Sequence, residues 1–123
     1  MNESGAYFDA GCKAAIGVFK GFLKTEEFMK IGNELHEIRQ KNASTKQINN
    51  ISDMKVLTQD IQKWLGKVWF PKAVSTGLKH FAFVVPKDVL ASMSMKAVNS
   101  NNNGIEIKYF DNEPSAKTWL NSK

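Results

Sequence analysis

Apolar residues recur along the chain in two patterns. Some form the short runs that are typical of strands, and others have the i, i+3, i+4 spacing that is typical of helices. Residues 6–8 and 12–19 predict two strands, the second of them mostly apolar. Gly11, which lies between them, can supply the positive φ that a tight turn favours. Gly21 then ends the second strand. The chain is therefore predicted to begin with a hairpin.

Two amphipathic helices are predicted in the middle of the chain. One begins near Thr25 and the other near Thr58, because each hydroxyl can accept a hydrogen bond from the first helical turn. Their apolar faces comprise Phe28, Ile31, Leu35 and Ile38 in the first helix and Leu57, Ile61, Trp64, Leu65 and Val68 in the second. Residues 47–52 form a weaker candidate strand between them. Pro71 disfavours a helical conformation for Phe70, so a kink or break is expected there.

The clearest strand signal lies in the second half of the chain, at residues 80–85. This unbroken apolar run is typical of a central strand that is buried on both faces. The remaining elements are a helix over residues 88–98, an asparagine-rich loop over 99–103, an alternating strand over 105–110 and a short helix capped by Asn112. The predicted order is β-β-α-β-α-β-α-β-α. Alternating strands and helices indicate an α/β fold, here with a mainly parallel sheet behind the N-terminal hairpin.

Length and composition restrict the class of protein. The 123 residues leave room for one domain, residues 1–123, and the 42% hydrophobic content is typical of a globular chain. Cys12 is the only cysteine, so neither an intramolecular disulfide nor a cysteine-based zinc cluster can form. The first residues lack the features of a signal peptide, and the longest apolar stretch, residues 81–86, is too short to span a membrane. We expect a soluble, cytoplasmic protein.

The net charge of +5 is confined to the second half of the chain. Residues 1–61 carry 8 basic and 8 acidic side chains, whereas residues 62–123 carry 9 and 4. A basic half suggests an acidic partner such as nucleic acid. However, Lys63 and Lys67 fall on the polar side of the second helix, and Arg39 is the only arginine among 17 basic residues. Because arginine is the residue that reads base edges bidentately, nucleic acid is not an expected partner.

The two histidines have no recognisable catalytic or metal-binding companions. His36 lies at the margin of the first apolar face and His80 begins the central strand, and neither has a carboxylate or further ligand at a characteristic spacing. Cys12 lies among apolar residues, which raises the pKa of a thiol and leaves it unreactive. The sequence thus predicts no enzymatic activity, no metal ligand and no cofactor.

Several segments together resemble a small bacterial family with the SpoIIAA-like fold, whose members are described as STAS- or SEC14-type domains. The most specific segment is Trp64-x4-Trp69-Phe70-Pro71. The others are residues 54–60, Gly77-Leu78-Lys79, residues 81–89, Tyr109-Phe110-Asp111 and Trp119-Leu120. The resemblance covers residues 19–120. It implies a sheet of four or five strands with helices on its faces, in a family whose activity is largely unassigned.

Two groups of proteins with this fold imply different sites. Anti-sigma-factor antagonists bind a protein partner and are switched by phosphorylation of a serine in an Asp-Ser-Ser/Thr-Gly pattern, which residues 50–54 lack. Asn50 also stands near a position where family members often carry aspartate. Ser52 and Thr58 remain candidate phosphorylation sites, or else Ser52-Asp53 forms a turn and Thr58 caps a helix. SEC14-type domains hold a lipid in an apolar pocket, and this chain is too short for their full cavity.

Phe70 is the aromatic residue that fits the helical pattern least well. On an uninterrupted helical wheel it projects away from Trp64 and Val68. Either a kink at Pro71 rotates it inward, or it belongs to an apolar surface that binds a partner.

The sequence therefore predicts a regulatory or partner-binding module that is not an enzyme and that binds another protein or a second copy of itself. The candidate binding residues are Ser52, Asp53, Met54, Thr58, Trp64, Trp69, Phe70 and Met93. The alternative is a carrier of a small apolar or lipid-like ligand, held in a sheet–helix cleft near Trp64, Trp69 and Met93.

Overall fold

The computed structural model describes residues 4–54, 58–92, 99–102 and 104–123. The strands are β1 (Gly5–Asp9), β2 (Ala14–Gly21), β3 (Lys46–Met54), β4 (His80–Val84), β5 (Asn99–Asn102) and β6 (Ile105–Phe110). The helices are α1 (Thr25–Lys41), α2 (Gln59–Trp64), α3 (Phe70–Ser75), α4 (Lys87–Ser92) and α5 (Glu113–Asn121). A π-helical turn, Leu65–Trp69, joins α2 directly to α3.

The described strands form one sheet in the order β1-β2-β3-β4-β6-β5. The four inner strands are parallel, β1 pairs antiparallel with β2, and β5 pairs antiparallel with β6. The predicted α/β fold, with a mainly parallel sheet behind an N-terminal hairpin, is confirmed.

The asparagine-rich segment differs from its prediction. Residues 99–103 were expected to form a loop, but Asn99–Asn102 forms an edge strand whose partners run from Ile105 to Lys108. The described sheet therefore has six strands rather than four or five. Strand pairing uses backbone N–H and C=O groups, which every residue but proline carries in full, so a polar run can pair without an alternating pattern. Gly104, at a φ of +86°, makes the turn into β6.

Apolar side chains pack on both faces of the sheet. On one face, Ala15 and Phe19 of β2 pack with α1 and α2, and Phe81 of β4 packs with the π-helical turn and α3. On the other face, Ile16 of β2 and Ile48 of β3 pack with Ala116 and Leu120 of α5. The apolar strands β2 and β4 are thus buried on both sides, as their sequences predict.

The helix that contains Pro71 is not broken. Phe70 keeps helical angles, with φ −63° and ψ −45°, and its N–H donates to the carbonyl of Leu65, five residues earlier. A proline inside an α-helix clashes with the carbonyl four residues before it and lacks an N–H, and the wider π-helical turn precedes it here. The expected kink at Pro71 is therefore replaced by a π-helical turn.

This turn also changes which side chains face the sheet. A π-helical turn adds one residue to the helix and so rotates the residues that follow it. Val68, predicted to lie on the apolar face, is 51% exposed, whereas Trp69 is only 2% exposed. Phe70 turns inward and packs edge-on against Trp69, with ring centroids 5.2 Å apart. Of the two alternatives for Phe70, the structure shows the inward one.

A completely buried arginine joins α1 to the sheet and to α3. Arg39 donates from Nε to Oε1 of Gln47 on β3 at 2.8 Å, and from Nη1 to Oγ1 of Thr76, the residue after α3, at 3.2 Å. Its guanidinium also lies 6.0 Å from the centre of the Trp69 ring. Within the described residues no carboxylate pairs with it. Burial lowers the Arg39 pKa to about 10, so the side chain remains charged at neutral pH.

His36 completes this buried cluster. Its Nδ1 accepts a hydrogen bond from Nη2 of Arg39, and its ring stacks on Trp69 with centroids 4.7 Å apart. The ring proton must therefore lie on Nε2, which is buried and has no hydrogen-bond partner among the described residues. Burial, and secondarily the Arg39 charge, lower the His36 pKa to about 3.

Replacing Gly32 by alanine should destabilise the protein. A Cβ at Gly32 would lie 2.8 Å from Cη2 of Trp64 and 3.2 Å from Cδ1 of Trp69, whose indole N–H donates to the Gly32 carbonyl. We expect Gly32→Ala to lower the free energy of unfolding by about 1–3 kcal/mol, since the rings cannot move apart without loss of packing. Urea denaturation followed by Trp fluorescence measures this.

The matched control is Gly66→Ala, because a Cβ at Gly66 meets open space. This change should raise the free energy of unfolding by about 0.5–1 kcal/mol through helix propensity and a more restricted unfolded chain. Equal effects at Gly32 and Gly66 would contradict the packing of the two tryptophans on α1.

The neutral His36 should make stability fall in acid. Its folded pKa of about 3 lies below the ordinary value of 6.5, so below pH 6.5 the unfolded chain binds a proton that the folded chain does not. The free energy of unfolding that depends on a neutral His36 is fully present above pH 6.5 and is lost as pH falls towards 3. Between these values the free energy of unfolding falls by up to about 1.4 kcal/mol per pH unit. Denaturation curves at several pH values measure this slope.

His36→Gln is the matched variant, because a Gln carbonyl can accept from Arg39 but does not titrate. The difference in unfolding free energy between the native chain and His36→Gln should be independent of pH above 6.5 and should shift in favour of the variant below it. A constant difference down to pH 4 would contradict a buried neutral His36.

Candidate functional site

The parallel strands β2 and β3 end side by side, at the end of the sheet where the strands have their carboxyl termini. We call this end of the sheet the carboxyl edge. In open α/β sheets, ligands bind beyond this edge of the parallel strands. The register between β2 and β3 shifts after Val18, so that Lys20 pairs with Asp53 and Gly21 with Met54. Such irregularities bend a strand and redirect its side chains. The predicted residues Asp53 and Met54 thus lie directly beside the end of β2.

A groove of about 450 Å³ opens at this edge, on the face of the sheet that α5 covers. Tyr7 of β1, Val18 and Lys20 of β2, Asn50 and Asp53 of β3, and Glu113 of α5 line it. Its volume lies within the range of about 300–1,000 Å³ that is typical of small-molecule sites. We call it the edge groove. Four elements that are distant in sequence contribute to it.

Asn50 is held in place by hydrogen bonds on both sides of its amide. Its Nδ2 donates to Oε2 of Glu113 at 2.6 Å. Its Oδ1 accepts from the Ser52 hydroxyl at 2.6 Å and from the Ser52 backbone N–H at 3.1 Å. Family members often carry aspartate near this position, but an aspartate could not donate to Glu113. The amide of Asn50 therefore has a structural role. It fixes the first turn of α5 to β3.

The charges around the edge groove are partly compensated. Nζ of Lys117 lies 3.0 Å from Asp9 and 3.9 Å from Glu113. The hydrogen bond between Lys117 and Asp9 is the main cause that lowers the Asp9 pKa, and it is also the main cause that raises the Lys117 pKa. Burial, and next the charge of Glu113, raise the Tyr7 pKa, so its phenol keeps its proton at neutral pH.

Phe22 stands at the rim of the carboxyl edge and is 79% exposed. It follows Gly21, whose φ of +66° turns the chain out of β2. Because Gly21 pairs with Met54, Phe22 lies beside the end of β3. Sequence reasoning missed Phe22, although a large aromatic residue between a strand-ending glycine and a helix start was a visible signal. It also missed Tyr7, Lys20 and Glu113, which are brought together only by folding.

The two candidate phosphorylation sites are both engaged in local hydrogen bonds. Ser52 and Asp53 lie within β3, so the expected turn at Ser52-Asp53 is wrong. Ser52 is partly buried and donates to Asn50, whereas Asp53 is exposed. Thr58 caps α2, since its Oγ1 accepts from the Ile61 N–H at 3.2 Å. The capping prediction for Thr58 is confirmed.

The predicted aromatic residues lie on the other face of the sheet. Trp64 is partly buried against α1, and Trp69 is buried, so Trp69 offers no surface to a protein partner. Trp69 and Phe70 instead line an apolar cavity of about 50 Å³. The remaining lining residues are Phe28, Asn49, Ile51, Leu65, Phe81 and Phe83. Met54 packs at the margin of the α1 cluster, and Met93 lies outside the described residues.

The described ranges contain no group of three or more histidine, cysteine, aspartate or glutamate side chains placed to hold a metal ion. Cys12 is a buried free cysteine, and burial raises the pKa of its thiol, in the predicted direction. None of the described helices combines the length and the apolar character that a membrane crossing requires.

The Asn50–Glu113 contact generates a prediction about stability. Asn50→Asp would place two carboxylates at the present 2.6 Å separation, so we expect a loss of about 1–3 kcal/mol in the free energy of unfolding at pH 7. Glu113→Gln in the same chain should restore most of the loss, because its amide can donate to the new carboxylate. A double-mutant cycle at pH 7 measures the coupling. If the two effects were simply additive, the contact would not exist in solution.

Of three comparisons with known proteins, one gives a match, and it agrees with this architecture. No curated protein and no solved structure shows a significant match to the chain. The model of the SpoIIAA-like family, however, matches residues 17–121, which run from the middle of β2 to the end of α5. A match of this extent, together with the mostly parallel sheet and its antiparallel hairpin, shows that the chain belongs to the SpoIIAA-like family.

Proposed function

We propose that this chain is a regulatory, non-enzymatic module that binds a protein partner at the carboxyl edge of its sheet. The observation that carries the proposal is the 79% exposure of Phe22. Burying a phenylalanine side chain is worth about 1.5–3 kcal/mol relative to leaving it in water. A partner that covers Phe22 would gain this free energy.

The surroundings of Phe22 suit a protein interface. Lys20 and Asp53, which form a paired position of β2 and β3, lie close to it in the chain and in the sheet. Protein interfaces commonly combine a few aromatic side chains at the centre with charged and polar groups around them. The carboxyl edge provides both.

The family supports the same function. SpoIIAA-like domains are generally not catalytic, and STAS-like domains often interact with proteins. A phosphoryl group on Ser52 would lie next to Asp53 and near Glu113, where like charges oppose it. Our proposal therefore assigns the binding of the partner to Phe22 and its neighbours and requires no phosphorylation of Ser52.

The alternative, a carrier of an apolar ligand, is less well supported. The cavity beside Trp69 and Phe70 has a volume of about 50 Å³. Sites for drug-sized ligands hold about 300–1,000 Å³. The cavity is apolar, but its size does not suit a lipid chain.

Site-specific photo-cross-linking tests the proposed interface. A photoreactive analogue, p-benzoylphenylalanine, replaces Phe22 in one chain and Val74 in another, and both are expressed in cells of the source organism. Val74 is a suitable control because it is 40% exposed and lies near the end of α3, which leads into the start of β4 at the opposite edge of the sheet. We expect irradiation to yield a discrete adduct, with another protein or a second copy, from position 22 only.

Competition makes the result specific. Excess unlabelled native protein should suppress the adduct, whereas the Phe22→Ser variant should not. Because Phe22 is exposed, this variant should keep the native unfolding free energy. Equal cross-linking from positions 22 and 74, or equal suppression by both competitors, would contradict the proposal.

A further inference from the structure

We infer that the apolar cavity beside Trp69 and Phe70 binds a small uncharged molecule that carries one hydrogen-bond acceptor, such as a carbonyl oxygen, on a short hydrocarbon body. We call this space the aromatic cavity. The inference does not depend on the proposed protein partner, whose site lies at the carboxyl edge. The occupant also differs from a lipid-like ligand, both in its size and in its need for an acceptor atom.

The lining of the aromatic cavity is apolar except at one residue. Among the described residues that line it, five are aromatic, two are aliphatic and none is charged. The remaining one, Asn49 of β3, is only 5% exposed. Trp69 also carries an N–H group, but that group already donates to the carbonyl of Gly32 at 2.9 Å. Asn49 is therefore the polar group that an occupant would meet.

A chain of hydrogen bonds from the buried arginine fixes the orientation of the Asn49 amide. Arg39 carries only donors, so the atom of Gln47 that its Nε contacts at 2.8 Å must be the carbonyl oxygen, Oε1. The NH₂ group of Gln47 therefore points the other way, and it donates to Oδ1 of Asn49 at 2.8 Å. This contact uses the oxygen of Asn49 and directs its own NH₂ group, Nδ2, away from Gln47.

The Nδ2 group of Asn49 has no hydrogen-bond partner among the described residues. Because Asn49 lines the aromatic cavity, this donor faces that space. A buried donor without an acceptor has lost its hydration and has gained no bond in exchange. An occupant with an acceptor atom would remove this cost, so the donor favours binding of such a molecule.

Water and ions are poor occupants of the aromatic cavity. A buried water molecule is typically held by about three hydrogen bonds, whereas the described lining offers one free donor among rings and aliphatic side chains. An ion is disfavoured as well, because no described lining residue carries a compensating charge. A neutral molecule with one acceptor and a hydrocarbon body suits both the N–H group and the apolar wall.

The size of the aromatic cavity restricts the occupant to a few non-hydrogen atoms. Its volume is about 50 Å³, whereas an apolar cavity of about 150 Å³ can hold benzene. Four of the lining residues are partly exposed, so the cavity lies near the protein surface and an occupant can extend outward from Asn49: Ile51, Leu65, Phe70 and Phe83. This geometry suits a short ketone or aldehyde.

Titration with 2-butanone tests the inference, and 2-methyl-1-butene is the matched control ligand. The two molecules have nearly the same shape, but the alkene has a CH₂ group where the ketone has its oxygen. In ¹H–¹⁵N correlation spectra of the native protein, we expect millimolar ketone to cause saturable shifts of the Asn49 side-chain signals and of the Trp69 indole signal. The indole signal of Trp119, which packs on the opposite face of the sheet, should not move.

The Asn49→Leu variant removes the donor and keeps a similar side-chain size. Ketone and alkene are compared within the same variant, so a general loss of stability affects both. We expect the ratio of ketone affinity to alkene affinity to fall about tenfold relative to the native chain, because the ketone alone loses a hydrogen bond. Asn33→Leu, the same substitution at an exposed position of α1, should leave this ratio unchanged.

The Ile51→Phe variant fills the aromatic cavity from its partly exposed margin and should abolish the binding of both molecules. Together with the native chain it decides the question even if Asn49→Leu does not fold.

Three outcomes would overturn the inference. They are the absence of a saturable shift of the Trp69 indole signal in the ketone titration, an unchanged affinity ratio in Asn49→Leu, and ketone binding that survives Ile51→Phe. Phe22→Ser should bind the ketone as the native chain does. Loss of the protein partner and loss of the ketone can therefore be told apart.

Discussion

The fold depends on a buried positive charge that no carboxylate of the described residues neutralises. Arg39, on α1, is held by Gln47 of β3, by Thr76 at the end of α3, and by the stacked pair His36 and Trp69. A buried guanidinium without these acceptors would cost several kcal/mol in lost hydration. The relative positions of one strand and two helices are therefore fixed by the need to hydrogen-bond a single side chain.

This requirement accounts for the features that seem irregular by themselves. His36 must remain neutral, because its Nδ1 accepts from Arg39. Trp69 must face inward to stack on His36, and the π-helical turn before Phe70 provides that rotation while Pro71 continues the helix. The exposure of Val68 is the other consequence of the same turn. One local departure from α-helical geometry thus serves the packing of the whole face.

The sequence predicts those parts of the fold that depend on neighbouring residues. It does not predict the edge groove, whose residues are distant in the chain. Apolar periodicity identifies α1 and β4, and Thr58 was visible as a cap, since each signal spans a few neighbouring residues. The π-helical turn shifts the helical phase without a pattern of its own, so Val68 was misplaced. The edge groove joins Tyr7 to Glu113, which are 106 positions apart. Only strand order brings such residues together, and no spacing in the sequence records it.

The position of the edge groove follows from unequal lengths on the two faces. On one face, α1 has 17 residues and is about 25 Å long, enough to follow most of a strand. On the other face, α5 has 9 residues and measures about 14 Å, whereas the 9 residues of β3 extend about 30 Å. α5 covers Ile16, Ile48 and their neighbours, and Glu113 in its first turn contacts Asn50. The carboxyl ends of β2 and β3 therefore project beyond α5, and Lys20 and Asp53 line an open groove. A helix shorter than the strands it covers therefore leaves this groove open at the carboxyl edge.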